Sequence, residues 1–305
     1  MTGRLVHSGQ VLVDLVMRVP ALPPPGGDVL ATGTTMLPGG GFNVVAAAAR
    51  AGAEVLYTGG HGTGPHGDLV RAALAAEGVT ATAPPDPGGD TGICVTLVDP
   101  SGERTFVTGS GVETAPPAGL PATTADDVLY VSGYSLLVPD KAASLVAAAE
   151  ESSATVLLDP GPLVTDVPDT LWERMLAATG VLSTNAREAR LLTGEPTAAR
   201  AAGALARRLR DDAAVVVRDG AAGCVVVRDG AMEAVPAPVV DAVDTNGAGD
   251  AHCGVLAAEL LRGTAWSEAV ARAGAAAALA VTRYGPATAP TRAELDAFLA
   301  GAAAG

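Results

Sequence analysis

A chain of 305 residues that is 49% hydrophobic can bury a sizeable core, in one large domain or in a domain with an appendage. Its formal net charge of −14 argues against nucleic acid or another polyanion as partner, and no apolar run approaches the roughly 20 residues of a membrane helix. Cys94, Cys224 and Cys253 form no CxxC pair and sit in apolar stretches, which reads as reduced core thiols in a cytoplasmic protein.

The N-terminal residues carry no signal-peptide pattern and read directly as a strand at 5–7. Further β-branched, apolar runs fall at 54–58, 128–132, 155–159, 181–183 and 214–217. Between them lie Ala/Leu/Arg stretches of helical spacing at 68–77, 141–150 and 198–209, with Gly78 and Gly180 where C-terminal caps are expected. This alternation predicts a mainly parallel sheet with helices on both faces. Two segments break it. Residues 11–19 read as a strand containing Asp14, before a Pro/Gly-rich stretch. Residues 92–99 and 103–108 alternate around Pro100-Ser101-Gly102 as an antiparallel hairpin. A small sheet projecting over a binding site, or a plain surface hairpin, accounts for both.

Lys141 is the only lysine, and no glycine-rich loop precedes it, so a P-loop is excluded. It opens an Ala-rich helix and is expected on its solvated side. Gly62-Thr63-Gly64-Pro65-His66-Gly67 has the spacing of a dinucleotide fingerprint, but Pro65 falls where the turn enters the helix. In a chain with 38 glycines it reads as a structural loop.

Three motifs carry candidate chemistry. In Asp244-Thr245-Asn246-Gly247-Ala248-Gly249-Asp250, small residues at a helix start leave backbone amides uncovered at the positive end of a helix dipole, an anion site. Beside it, Asp250 either accepts a proton from an attacking hydroxyl or merely caps the helix. In Pro38-Gly39-Gly40-Gly41-Phe42-Asn43, glycines allow a ligand close to the backbone, and Asn43 suits a polyol or caps a helix. In Asn185-Ala186-Arg187-Glu188, after the strand at 181–183, Glu188 is an outer ligand to Mg²⁺ or a plain first-turn acid.

Together, over the whole chain and in order, these motifs resemble the ribokinase-like (PfkB-type) carbohydrate and nucleoside kinases. The resemblance extends to Gly220-x-x-Gly223 and to the tail Pro290-Thr291-Arg292-x-Glu294-Leu295. It implies a three-layer α/β/α body (residues 1–10, 36–90 and 110–305) and a small antiparallel β lid (11–35 and 91–109). By the same resemblance Asp250 is the catalytic base and Gly247, Ala248 and Gly249 its anion hole. Asp14, Gly39, Gly40, Gly41 and Asn43 hold the sugar, with Tyr134 nearby. Asn185, Arg218, Gly220 and Gly223 serve ATP, and Glu188 the Mg²⁺ through water. Arg218 departs from the Thr common at its position, and His252 from a common Phe; His252 is expected to pack. Some relatives hold a monovalent cation such as K⁺ around 241–243. The expected activity is ATP-dependent phosphorylation of a sugar hydroxyl, with a homodimer formed through the lid edge. The alternatives are a nucleoside kinase, disfavoured by 3% aromatic content, and a non-catalytic sugar sensor.

Overall fold

A computed structural model describes residues 3–118 and 120–303. Strands β1 (Leu5–His7), β2 (Val11–Arg18) and β3 (Gly33–Gly40) lead into α1 (Phe42–Arg50), β4 (Val55–Tyr57), α2 (Pro65–Ala76) and β5 (Thr80–Ala81). The hairpin of β6 (Ile93–Val98) and β7 (Arg104–Gly109) follows. Strand and helix then alternate through β8 (Val128–Ser132), α3 (Pro139–Glu151), β9 (Thr155–Asp159), α4 (Asp169–Ala178), β10 (Val181–Asn185), α5 (Ala186–Thr193), α6 (Ala198–Ala206) and β11 (Ala214–Arg218). The hairpin β12 (Cys224–Arg228) and β13 (Ala231–Val235) precedes α7 (Ala248–Arg262), α8 (Trp266–Ala280) and α9 (Arg292–Ala303).

The main sheet runs β13-β12-β11-β10-β9-β8-β1-β4-β5, parallel from β11 to β5 with an antiparallel hairpin at one edge. Successive strand residues go to opposite faces. Leu5, Tyr130, Leu157 and Val216 therefore join the core under α1, α2, α7, α8 and α9, whereas Val6, Val131, Leu158 and Val217 join the core under α3 to α6. Burial on both faces is why these strands read as continuous apolar runs.

The second sheet has the order β3-β2-β6-β7. It is antiparallel at both edges, but its central pair, β2 and β6, runs parallel. The small antiparallel lid expected from the sequence is present, with one parallel pair at its centre. Residues 18 and 93 lie too far apart in sequence for a hairpin, and the chain returns to the body between them.

Two readings change. Gly78, at φ +71°, ends α2 as expected. Gly180 is no cap: its amide donates to Val156 O across the sheet, and the Thr179 hydroxyl satisfies Met175 O. Lys141, expected in solvent, is fully buried, and its Nζ donates to Gly9 O (3.3 Å) and Glu113 O (2.6 Å). The Glu113 carboxylate in turn accepts from the amides of Gly92 (2.7 Å) and Gly111 (2.8 Å). The segments before β2, before β6 and after β7 thus meet in one buried polar knot where the lid joins the body. Burial pulls the Lys141 amine down to about 8, against the opposing charge of Glu113.

The 62–67 loop is structural for a visible reason. At the start of α2, the amides of His66 (3.0 Å) and Gly67 (2.8 Å) donate to the Asp90 carboxylate, which fills the place a pyrophosphate would need. His61 and His66 bond the carbonyls of Ala83 and Thr91.

Candidate active site

Four neighbouring parallel strands deliver polar residues at their C-terminal ends, the edge where open α/β sheets place ligands. Ser132 ends β8 and pairs in register with Asp159, which ends β9; Asn185 ends β10 and pairs with Arg218, which ends β11. Over this edge converge the N-termini of α1 and α7, whose dipoles put partial positive charge there.

α7 begins after Gly247, at φ +73°, a left-handed conformation in which Pro286 O packs where a Cβ would stand. Gly249 lies against Arg218, and a Cβ on it would meet Nη1 at 2.5 Å. Asp250 follows in the first turn and makes no capping bond; its Oδ2 accepts from Asn43 Nδ2 at 2.8 Å. Asn43 likewise is not a cap, because α1 starts at Phe42, after Gly41, and Asn43 lies inside it. Its Oδ1 is buried without a partner among the described residues. Burial pushes Asp250 up to about 6, with the Asn43 bond opposing. Asp14, inward on β2, is pushed up to about 6 by burial and then by the Asp250 charge.

Asn185 and Glu188 form a reciprocal capping box: Asn185 Oδ1 accepts from Glu188 N at 2.9 Å, and Glu188 Oε2 accepts from Asn185 N at 3.0 Å. Both also border the cavity, so the capping role of Glu188 leaves it beside the open space. Burial, then the nearby Asp159 charge, raises the Glu188 carboxyl.

One cavity of about 440 Å³ brings together Asp14, Gly40, Gly41, Asn43, Asn185, Glu188, Arg218, Gly247, Gly249 and Asp250. Gly39 stands behind Asp14, where a Cβ would overlap the carboxylate, and Ala248 turns away from the cavity as the first residue of α7. Gly220 and Gly223 lie outside it, in the turn joining β11 to β12. His252 is buried beside Cys224 (3.6 Å) and is driven down to about 3 by burial, so it packs.

Asp159 is a cavity residue that sequence reasoning missed. Its Oδ2 pairs with Arg218 Nη2 at 3.0 Å and its Oδ1 accepts from Gly161 N at 3.0 Å. The signal was available in Asp159-Pro160-Gly161, a carboxylate followed by turn residues at a parallel strand end. Phe106 and Tyr130 were also missed, and they join Tyr134, which the resemblance had placed nearby. All three line the cavity, so low aromatic content does not mean an aromatic-poor pocket.

Four carboxylates, from Asp14, Asp159, Glu188 and Asp250, face the cavity against one guanidinium, that of Arg218. Among the described residues no cluster of three or more His, Cys, Asp or Glu side chains could hold a metal ion, so a hard cation admitted here would have to share its ligands with the oxygens of a bound polyphosphate. A monovalent cation beside 241–243 fits less well. The adjacent Asp244 has both carboxylate oxygens engaged, by Arg104 and by the amides of Asn246 (2.8 Å) and Gly285 (3.1 Å).

Fold and cavity define a three-layer α/β protein with a β lid, in which a glycine-opened helix N-terminus stands beside the half-buried carboxylate of Asp250. The model of the pfkB family of carbohydrate kinases matches residues 3–292, and the chain belongs to that family. It is 33% identical to an ATP-dependent ribose-1-phosphate kinase of Halopiger xanaduensis over 97% of this chain and 98% of that one. It is 31% identical to an uncharacterized sugar kinase of Escherichia coli, over 94% and 91% of the two chains. Among solved structures, the ribokinase of Thermotoga maritima superposes with a TM-score of 0.85 at 25% identity, over 97% of this chain and 99% of that one.

Proposed function

We propose that this protein transfers the γ-phosphoryl group of ATP to a hydroxyl, most simply a primary one, of a small sugar. The observation that carries the reading is the meeting of Asp250, the Gly247 and Gly249 turn, Asn43 and Asp14 in one cavity at the strand ends. Asp14 and Asn43 bind the acceptor, with the unpartnered Asn43 Oδ1 taking a hydroxyl proton in a hydrogen bond. Asp250 removes the proton from the reacting hydroxyl. The oxygen attacks the γ-phosphorus in line as the bond to the departing ADP oxygen breaks. The exposed amides opening α7, with the Arg218 charge behind Gly249, stabilise the negative charge spread over the transferred group. Asn185 and Glu188 face the phosphates, and bound Mg²⁺ would neutralise their oxygens. Gly220 and Gly223 shape the nucleotide side.

A substrate panel of pentoses, hexoses, sugar acids, sugar phosphates and nucleosides, read by ADP release, tests the reading. Failure of every acceptor to stimulate ADP release would defeat it. The nucleoside alternative gains from the Phe106, Tyr130 and Tyr134 lining, which offers ring faces to a base. Preference for nucleosides over free sugars in the same panel decides for it. We place the protein in the cytoplasm, because no helix among the described residues is long and apolar enough to cross a membrane and the cysteines are free. We also propose a homodimer through the lid, whose edge strands β3 and β7 leave backbone groups open to pairing. Light scattering after gel filtration tests it.

A further inference from the structure

The lid meets the body at a second place, beyond the acceptor cavity. Arg104 opens β7 on the same face as Phe106 and Thr108, which line that cavity. Its guanidinium is ion-paired with Asp244, which begins the loop leading to Gly247 and Gly249; 18% and 10% of the two side chains are exposed. Asp244 also accepts from the amides of Asn246 and Gly285. Gly285 precedes Pro286, whose carbonyl packs directly on Gly247. Asn246 borders both the acceptor cavity and a second cavity of about 480 Å³ lined by Arg104 and Asp244. On the same outer half of the lid, the Arg18 guanidinium lies 5.7 Å from the centre of the Tyr284 ring. The body thus fixes the position of Asp244, while the lid supplies its countercharge.

We propose that Arg104 is a positioning residue for phosphoryl transfer. Its ion pair with Asp244 ties the lid to the body when the lid is down, and it holds the 244–249 loop so that its amides face the transferred group. The proposal depends on the kinase reading for its consequence, but the latch itself is a statement about two segments of this chain. A carboxylate whose side chain is only 10% exposed, held by two amides and otherwise unpaired, pulls on its loop or recruits a cation; the guanidinium removes the need for either. Arg104 therefore provides at Asp244 the positive charge that a monovalent cation would otherwise bring, and lid closure delivers it.

Arg104→Met should lower kcat by about 5- to 150-fold, the usual range of a coupling between two sites, with the KM for ATP nearly unchanged. Replacing K⁺ by tetramethylammonium should leave the wild-type rate unaltered, whereas K⁺ should partly restore Arg104→Met by reaching the freed Asp244. Arg104→Lys should recover most of the rate. Asp244→Asn added to Arg104→Met should cost less than the sum of the single losses. Wild-type kcat in Arg104→Met, additive losses in the double variant, or strong K⁺ activation of the wild type would each overturn the proposal. Hydrogen exchange in the unliganded protein separates the latch from the activity. Amides of Arg104–Gly109 and of 244–249 should exchange faster together in Arg104→Met, and unchanged exchange in the loop would refute the latch even if no acceptor were known.

Discussion

Replacing Asp250 by Asn leaves an oxygen to accept from Asn43 Nδ2, and removes the proton acceptor. The variant should therefore fold and bind nucleotide, with kcat lower by something on the order of 10²–10⁴. A kcat within a few-fold of wild type would reject the assignment. The same residue sets a pH limb. With the Asp250 carboxyl lifted to about 6 by burial, kcat/KM for the acceptor should fall as pH drops through about 6, where the base becomes protonated. Stability of the unliganded protein should move the other way. Native Asp14 and Asp250 hold protons that unfolded carboxylates, titrating near 4, have already released. Folding is thus favoured below about pH 4, and that contribution is lost as pH rises through about 6. Urea melts at a series of pH values measure this, and Asp14→Asn should flatten part of the slope. Asp14 faces the cavity and has no arginine partner among the described residues. If it bonds acceptor hydroxyls at about 1.5–3 kcal/mol each, Asp14→Ala should raise the acceptor KM by roughly 10- to 150-fold and leave that for ATP unchanged. Equal KM values for wild type and variant would remove Asp14 from the site.

At the scale of elements, the start of α7 makes the sharpest demand on sequence. Gly249→Val would drive a branched side chain into Arg218 and disturb its pair with Asp159, so phosphoryl transfer should be abolished while acceptor binding by calorimetry largely survives. Normal transfer in that variant would mean that the amides do not face the phosphate. Elements defined by local chemistry were legible in the sequence: parallel strands from apolar β-branched runs, α2 from its closing Gly78, the β6 and β7 hairpin from its Pro-Ser-Gly turn. What escaped depends on partners distant in the chain. The β2–β6 pairing is set by where two separate excursions meet, and periodicity within either one does not encode it. Asp159 gains its meaning from Arg218, 59 residues later. Lys141 was placed outside because lysine usually is, and nothing near it announces that its acceptors are carbonyls at 9 and 113. Lys141→Met should leave those two carbonyls unpaired, at about 1–3 kcal/mol apiece, and loosen the lid junction. Thermal melts read the loss; an unchanged melting temperature would show that the knot contributes nothing.

Across the whole molecule, the candidate site is assembled from nearly every part of the chain: the lid at Asp14, α1 at Asn43, strand ends at 159, 185 and 218, and α7 at Asp250. The motifs could be read one at a time because each carries its own backbone requirement, but the Asn43–Asp250 hydrogen bond and the arrangement of the rest around one cavity could not. The polar knot at the lid junction has a practical corollary. The chain's single lysine side chain is sealed inside the native fold, so acylating reagents directed at lysine should find no side-chain target on the folded surface. Mass-spectrometric detection of acetylation at Lys141 would then be a clock for opening. Its rate should follow the protein's excursions from the closed state, slow when both substrates hold the lid down and accelerate as denaturant is added. In effect the molecule carries a built-in reporter at the point where its two sheets join.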